Sequence, residues 1–350
     1  MATEGVEVLL RQFSVATVNL YNLQLPGAAM NPNQEPWTPS EFEAKITWLA
    51  AQLTTLDADV VGLQELWHRD AMLAVLQAGG LSDTYDLLAE PATGARIVCA
   101  ALVRRGLLHG TPRWVDRFPD GVRLESTSGD DPQAPAIAIT IPGFSRPVLN
   151  FQVELRDDRP ATEVFVTHLK SKLPTAIYNE GWYRRDPGLY KPHTRAIGAA
   201  LSTIRRTAEA TGLRVLLTAV MKGSDTPVIV LGDINDGQNS NTVNILTEQP
   251  RYLVGESRGG ADNGLYTAQT LQEYRDSRDV YYTHVHDDLR ESLDHVLVSE
   301  QHYDHSLHRV WLFDGLTIYN DHLNDEDHRA RGTTDHGLVK VRFRYQPYSA

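Results

Sequence analysis

The octet Val230-Leu231-Gly232-Asp233-Ile234-Asn235-Asp236-Gly237 decides how this chain is read. An apolar run, residues 227–231, stops abruptly in a carboxylate and a carboxamide two positions apart. A run of that kind, bounded by turn-forming residues, reads as a buried strand whose carboxyl end presents two polar side chains. Asp and Asn supply oxygen donors suited to a hard cation such as Mg²⁺, or to positioning a water beside one. Asp, Asn and Gly also favour turns. The octet alone therefore leaves turn and site both open, and the rest of the chain must supply partners.

At 350 residues, with 41% hydrophobic and 22% charged residues, the composition is that of a globular chain able to bury a substantial core. The formal net charge of −12 argues against a broad, nonspecific grip on nucleic acid, which needs a basic face. A local basic patch around an acidic metal site is still allowed. The single cysteine, Cys99, lies in the apolar run 96–103 and reads as a buried structural thiol. One cysteine excludes an intramolecular disulfide and is compatible with a reducing compartment. The amino terminus lacks the basic segment and apolar core of a secretory signal. No stretch of about 18 apolar residues suggests a membrane span, so a cytoplasmic protein is expected.

Short apolar, β-branched runs recur from end to end, at 13–20, 59–64, 96–103, 112–118, 136–141, 148–155, 162–168, 227–231, 292–298 and 337–345. Helical spacing of Phe42, Ile46, Leu49, Ala50 and Leu53 predicts a helix over 40–55, with Ser40 as N-cap and Glu43 completing a capping box. A second helix is predicted over 194–211, and shorter ones over 67–78 and 241–246, the last capped by Ser240 or Asn241. Many strands, few helices and no repeat argue for two packed sheets with helices outside, in a single domain over 1–350. Two segments look like excursions: 170–192, rich in basic and aromatic residues, and 320–334, dense in Asp, His and Arg.

Five polar clusters fall at or just past predicted strand ends. Asn19 follows the first strand, where a turn-making Asn and a ligand are equally consistent readings. Glu65 ends a nearly all-apolar run; a carboxylate there is seldom buried unless paired or metal-bound. His168 closes another strand, a place where a hydrogen-bonded structural histidine is common, and Lys170 and Lys172 after it also fit a solvated edge. The Asp233/Asn235 octet is the fourth. Asp294-His295 and Asp335-His336 make the fifth; either pair alone is weak in a chain with 13 histidines.

Taken in order, these clusters resemble the endonuclease/exonuclease/phosphatase superfamily, the fold of deoxyribonuclease I, apurinic endonucleases, neutral sphingomyelinases and inositol polyphosphate 5-phosphatases. The matching pieces are Asn19, Gln64-Glu65, Thr167-His168-Leu169, Gly232-Asp233-Ile234-Asn235, Leu293-Asp294-His295-Val296 and Asp335-His336, spread over 15–341. The resemblance implies a four-layer α/β/β/α sandwich of two mostly antiparallel sheets. It also implies that Glu65 with Asn19 holds a divalent metal, Mg²⁺ with Mn²⁺ as substitute, and that Asp335 contributes. Magnesium keeps several waters and accepts one or two carboxylates, leaving places for phosphate oxygens. His336, oriented by Asp294, is implied either to activate the water or to bind phosphate as an imidazolium. Asp233 and Asn235 would position water and a phosphate oxygen, and His168 would donate to the phosphate or protonate the leaving group. No covalent nucleophile is supplied, so direct attack by water is expected. Two positions depart from the family pattern. Tyr21 stands where an acidic residue is often found, favouring one metal over two, and His295 stands where an aromatic is common.

The strand end His168-Leu169-Lys170-Ser171-Lys172 is similar to that of bacterial nucleases in the superfamily. It is followed by Tyr178, Trp182, Tyr183, Arg184, Arg185, Tyr190, Lys191, His193 and Arg195. Cations interleaved with aromatics contact phosphates and stack bases; a surface loop pinned by its own aromatics explains the pattern as well. Lys170, Lys172, Arg184 and Arg195 are the candidate substrate contacts. A nuclease or nucleotide phosphodiesterase is the leading expectation. The alternative is a phosphatase or phosphodiesterase for a small phosphorylated metabolite or a lipid head group. Lipid work favours an exposed apolar hairpin; the sole candidate, 310–313, is better explained as a buried strand. An inactive binding module is disfavoured, since acid, base and metal positions all survive.

Overall fold

The apolar runs of the sequence pair into two six-stranded sheets. A computed structural model describes residues 9–90, 94–126, 135–252, 262–277, 282–286, 289–325 and 327–349. The strands in chain order are β1 (Gln12–Leu23), β2 (Val60–Leu66), β3 (Tyr85–Leu88), β4 (Val98–Arg104), β5 (Leu108–Arg117), β6 (Glu125–Ser126), β7 (Ile137–Ala138) and β8 (Gly143–Val153). They continue with β9 (Thr162–His168), β10 (Val228–Asp233), β11 (Leu265–Thr267), β12 (His284–His286), β13 (Leu289–Glu291), β14 (Asp294–Ser299), β15 (Trp311–Tyr319) and β16 (Leu338–Tyr345). One sheet has the order β15-β16-β1-β2-β4-β3 and the other β11-β14-β10-β9-β8-β5. In each, only the central pair is parallel, β1 with β2 and β10 with β9. The remaining pairs are antiparallel.

Period-two alternation sends successive side chains to opposite faces. Val15, Val60, Val164, Val166, Ile229, Leu231 and Val296 point inward and form the core between the sheets. Their neighbours Ala16, Val18, Val61 and Leu63 point outward, beneath α1 (Pro39–Leu56) and α2 (Arg69–Ala78). Helices α3 (Gly181–Arg185) and α4 (Pro187–Tyr190) lead into α5 (Thr194–Met221). The outer face of the second sheet, through Phe165, Val228, Val230 and Leu297, packs on α5 and α6 (Asn241–Thr247). The expected α/β/β/α layering follows from these three apolar contacts. Gly62 lets the sheets approach at their centre: a Cβ there would lie 2.9 Å from the Leu231 Cβ and 3.2 Å from the Val166 methyls.

Several local expectations shift. Helix α1 begins one residue early and its cap moves from Ser40 to Thr38, because Pro39 suits the first helical turn; Glu41, not Glu43, completes the box by accepting from Thr38 N at 2.8 Å. Helix α5 continues past residue 211 to Met221, with Gly212 accommodating the Phe118 ring. The strand expected over 136–141 reduces to β7, paired only with β6 and with Ile137 54% exposed, so no sheet face buries it. The 170–192 excursion holds α3, α4 and a 3₁₀ turn, Lys191–His193. The 320–334 excursion holds a 3₁₀ turn, Asp321–Asn324, and α8 (His328–Arg331); residue 326 lies outside the described residues. The run 310–313 opens β15 with Trp311 and Phe313 fully buried, so it is interior strand. The remaining helix, α7 (Ala268–Glu273), follows β11. Among the described residues no helix is long and apolar enough to cross a membrane.

Candidate active site

Topology brings the polar clusters together. The parallel central pairs end on the same side, delivering Asn19 and Glu65 from β1 and β2, and His168 and Asp233 from β9 and β10. Strand β14 runs antiparallel to β10, so its first residue, Asp294, faces Asp233. Strand β16 runs antiparallel to β1, which places the preceding Asp335-His336 beside the end of β1. At this point a hydrogen bond crosses between the two sheets, Asn19 Nδ2 donating to Asp233 Oδ2 at 3.2 Å.

The Asp233 carboxylate is the hub. Its Oδ1 accepts from Asn235 N at 2.8 Å, His168 Nε2 lies 3.4 Å from Oδ2, and His336 Nε2 lies 3.9 Å from the same oxygen. His336 Nδ1 lies 2.7 Å from Asp294 Oδ2. Asn235 donates through Nδ2 to the Leu169 carbonyl at 3.0 Å. Gly232 is required by close approach, since a Cβ would sit 2.0 Å from the Thr167 carbonyl oxygen.

Four non-glycine residues around this hub hold left-handed backbone: Tyr21 (φ 49°), Asn22 (φ 56°), Glu65 (φ 62°) and Asn235 (φ 57°). Such conformations cost on the order of 1 kcal/mol or more each and persist only where surroundings over-determine them. Here the ladder slips between Asn19 and Leu23, and again between Leu63 and Leu66. The slip is pinned by Asn22, whose N donates to Glu65 Oε2 at 3.0 Å. Its Oδ1 and main-chain O accept from the indoles of Trp67 (2.9 Å) and Trp37 (2.8 Å). The Glu65 carboxylate is thereby held against the Asn22 amide at the end of β1.

Burial acts on His336, His168, Asp233 and Glu65, and their neighbours add to it or oppose it. Burial disfavours the His336 imidazolium, but Asp294, Asp233 and Asp335 outweigh it and hold His336 well above its ordinary range. Burial, together with the positive charges of Arg146 and His336, keeps His168 well below its own and therefore neutral. Burial raises the proton affinity of Asp233, with Asp294 and Glu65 adding to it and His336 opposing. Glu65 is raised by burial and by the charge of Asp335. Asp294 Oδ1 and His168 Nδ1 are buried without a partner among the described residues.

The candidate substrate contacts are not assembled at this centre. Lys172 Nζ is taken by Glu291 at 2.6 Å and Asp236 at 3.4 Å, because those carboxylates neutralise it locally. Lys170 folds back, its Nζ donating to Ser171 Oγ at 3.1 Å. Arg184 is exposed on α3 and donates to Asn179 at 2.9 Å, and Arg195 is exposed near the start of α5. Three residues not singled out in the sequence do stand at the centre. Arg146, near the start of β8, donates to the Leu169 carbonyl at 3.3 Å and acts electrostatically on Glu65 and His168. Lys45 is fully buried inside α1, its Nζ 5.1 Å from the Tyr21 ring, 5.0 Å from the Trp37 ring and 3.4 Å from Thr333 O. His284 packs its ring 4.9 Å from that of His336. Lys45 left a signal, a lone charge in the apolar stripe of Phe42, Ile46 and Leu49; Arg146 and His284 left none.

The profile of the Endonuclease/Exonuclease/phosphatase family matches residues 16–336. The chain belongs to that family. It is a superfamily of phosphoester hydrolases, and solved relatives share the fold across nearly the whole chain. The human Nocturnin catalytic domain with bound sulfate is 14% identical, with a TM-score of 0.54 and coverage of 97% of each chain. Truncated Caenorhabditis elegans TDP2 is 12% identical, with a TM-score of 0.51, covering 96% of this chain and 99% of its own. A Bacteroides thetaiotaomicron mannosyl-6-phosphatase is 14% identical, with a TM-score of 0.52, covering 95% and 100%. No curated protein sequence matches the chain.

Proposed function

We propose that this family member is a divalent-metal-dependent phosphodiesterase that cleaves nucleic acid or nucleotide phosphoesters by direct attack of water. The observation that carries the reading is the Asp233 hub, with His168 and the His336–Asp294 couple arranged around one carboxylate. Glu65, with Asn19 and Asp335 beside it, would hold the cation, Mg²⁺ or Mn²⁺. These oxygen donors fit it: burial and the Asp335 charge raise the proton affinity of Glu65, a penalty that a divalent ion relieves. When bound, such an ion draws charge from the phosphoryl group and steadies the leaving oxygen.

The protein groups then divide the proton work. Asp233, fixed by Asn19 Nδ2 and Asn235 N, accepts a proton from the attacking water; its raised proton affinity suits a base working near neutrality. His336, kept protonated by Asp294, gives its proton to the departing oxygen. The P–O bond to water forms as the bond to the leaving oxygen breaks, and the proton on Asp233 returns to His336 across 3.9 Å. Neutral His168 donates a hydrogen bond to a phosphate oxygen.

On the substrate side, Arg184, Arg185, Lys191, Arg195 and Arg205 are all exposed along α3 to α5, in a chain of net charge −12. Trp182 and Tyr190 pack edge-on at 4.8 Å and pin that segment, while Tyr178 stays 54% exposed for stacking. The test is a phosphoester panel of oligonucleotides, mononucleotides, cyclic nucleotides and sugar phosphates, with Mg²⁺, Mn²⁺ or chelator. Metal-dependent strand cleavage, lost in Glu65→Ala and His336→Ala, is expected. Phosphate release from small esters without strand cleavage would replace the nuclease with a phosphatase, and no turnover on any ester would end both readings.

A further inference from the structure

We propose that His284, Asp335 and His336 form a second metal position, one for a borderline cation of the Zn²⁺ class. Each of the three offers a donor atom, and these atoms lie within 4.8 Å of one another. The position is built into the backbone: His284 and His336 form an isolated antiparallel bridge, and Gly337 N donates to Thr283 O at 2.7 Å. Thr283 is itself fixed, its Oγ1 accepting from Leu293 N at 2.9 Å and Asp294 N at 3.1 Å. The His284 ring is thus held against that of His336 by main-chain pairing rather than by a flexible loop.

Asp335 is common to both positions, but the two imidazoles set this one apart chemically from the oxygen-rich one at Glu65. Two imidazoles and a carboxylate suit Zn²⁺, Co²⁺ or Ni²⁺, whereas Mg²⁺ prefers oxygen. His336 already has its Nδ1 on the Asp294 carboxylate, so its Nε2 is the atom a metal would take, displacing the proton held there; a ligating imidazole is commonly braced in this way. Three protein ligands leave a fourth place for water. Occupation would tie up the same Nε2 that faces Asp233, so the ion would inhibit rather than activate. That last step rests on the phosphoester-hydrolase reading; binding itself does not.

Binding is tested on the full chain, stripped of metal with chelator and dialysed, using Co²⁺ as the probe and following its visible absorption without substrate. One Co²⁺ per chain is expected, displaced by Zn²⁺ but not by millimolar Mg²⁺. Its affinity should fall more than about tenfold in His284→Ala and His284→Gln and hold in Glu65→Gln, with thermal melts confirming that each variant is folded. Unchanged Co²⁺ affinity in both folded His284 variants, or a loss confined to Glu65→Gln, overturns the proposal. With a substrate in hand, Zn²⁺ should lower turnover at fixed Mg²⁺; turnover insensitive to Zn²⁺ at saturating occupancy removes the inhibitory role. Failure of the phosphoester panel leaves the Co²⁺ result standing on its own.

Discussion

His168 and His336 flank one carboxylate oxygen, yet one is held neutral and the other charged. The difference lies in Asp294, which bonds His336 and not His168. Asp294→Asn keeps the shape and removes the charge. The His336 resonance should then titrate lower by NMR, and turnover should fall by about 10²- to 10³-fold, the usual worth of a positioned acid or base; unchanged values for both would remove Asp294 from the mechanism. Lys45 is the other informative residue. Burial lowers its ammonium to about 7, against the attraction of Asp335 and Glu65. The unfolded chain binds that proton up to about pH 10.4, so between about 7 and 10.4 it holds more protons than the fold, and stability rises with pH. Lys45→Met removes this slope. It should be more stable than wild type at pH 7, by about 1–2 kcal/mol, with the advantage shrinking toward pH 10 in thermal melts. A constant gap across that range would show that Lys45 stays charged in the fold. Lys45 was missed although its signal was there, a charge in an apolar helical stripe, whereas His284 and Arg146 gain meaning only through strands far away in the chain.

At the scale of elements, the segment read as an excursion at 320–334 turns out to be tied to α1. Arg329 of α8 grips Glu41 with Nε at 2.6 Å and Nη2 at 3.0 Å, and also donates to the carbonyls of Glu35 (2.9 Å) and Pro36 (2.6 Å). This contact spans 288 positions, which is why local periodicity could not reveal it. The same segment leads directly to Asp335 and His336, so the pair anchors the approach to the hub. The Arg329 guanidinium holds Glu41 at about 2, below the 4.5 of a free side chain. Its stabilisation is complete above the unfolded value and is lost as pH falls from about 4.5 toward 2. Glu41 is partly exposed, so after solvent screening the pair is worth about 1 kcal/mol. Glu41→Gln should lower stability by about that amount at pH 7 in urea melts, with the gap closing toward pH 2. A gap independent of pH would assign the loss to the α1 cap, where Glu41 also accepts from Thr38 N.

At the scale of the molecule, the alternation of apolar residues made two stacked sheets legible, and the order of polar clusters made the site legible. Their meeting point was not, because it depends on both central strand pairs being parallel, which no local pattern specifies. Cys99 reports on the interior that results. It lies in β4 between the sheets, fully buried, and burial pushes its thiol up to about 12 from 9.0. A shift of that size alone cuts the thiolate fraction near pH 8 by about a thousandfold, and the thiolate is the reactive form. Reagent must also reach it, which requires the packed sheets to separate. Under native conditions the chain should therefore react with a disulfide reagent such as Ellman's at least about 10³ times more slowly than a free thiol. With one cysteine the reaction is a single exponential, and its denaturant dependence should match the slope of global unfolding followed by circular dichroism. Fast stoichiometric labelling in buffer would place β4 outside the core. A much shallower denaturant slope would mean that the two sheets part locally around Cys99 before the rest of the molecule opens.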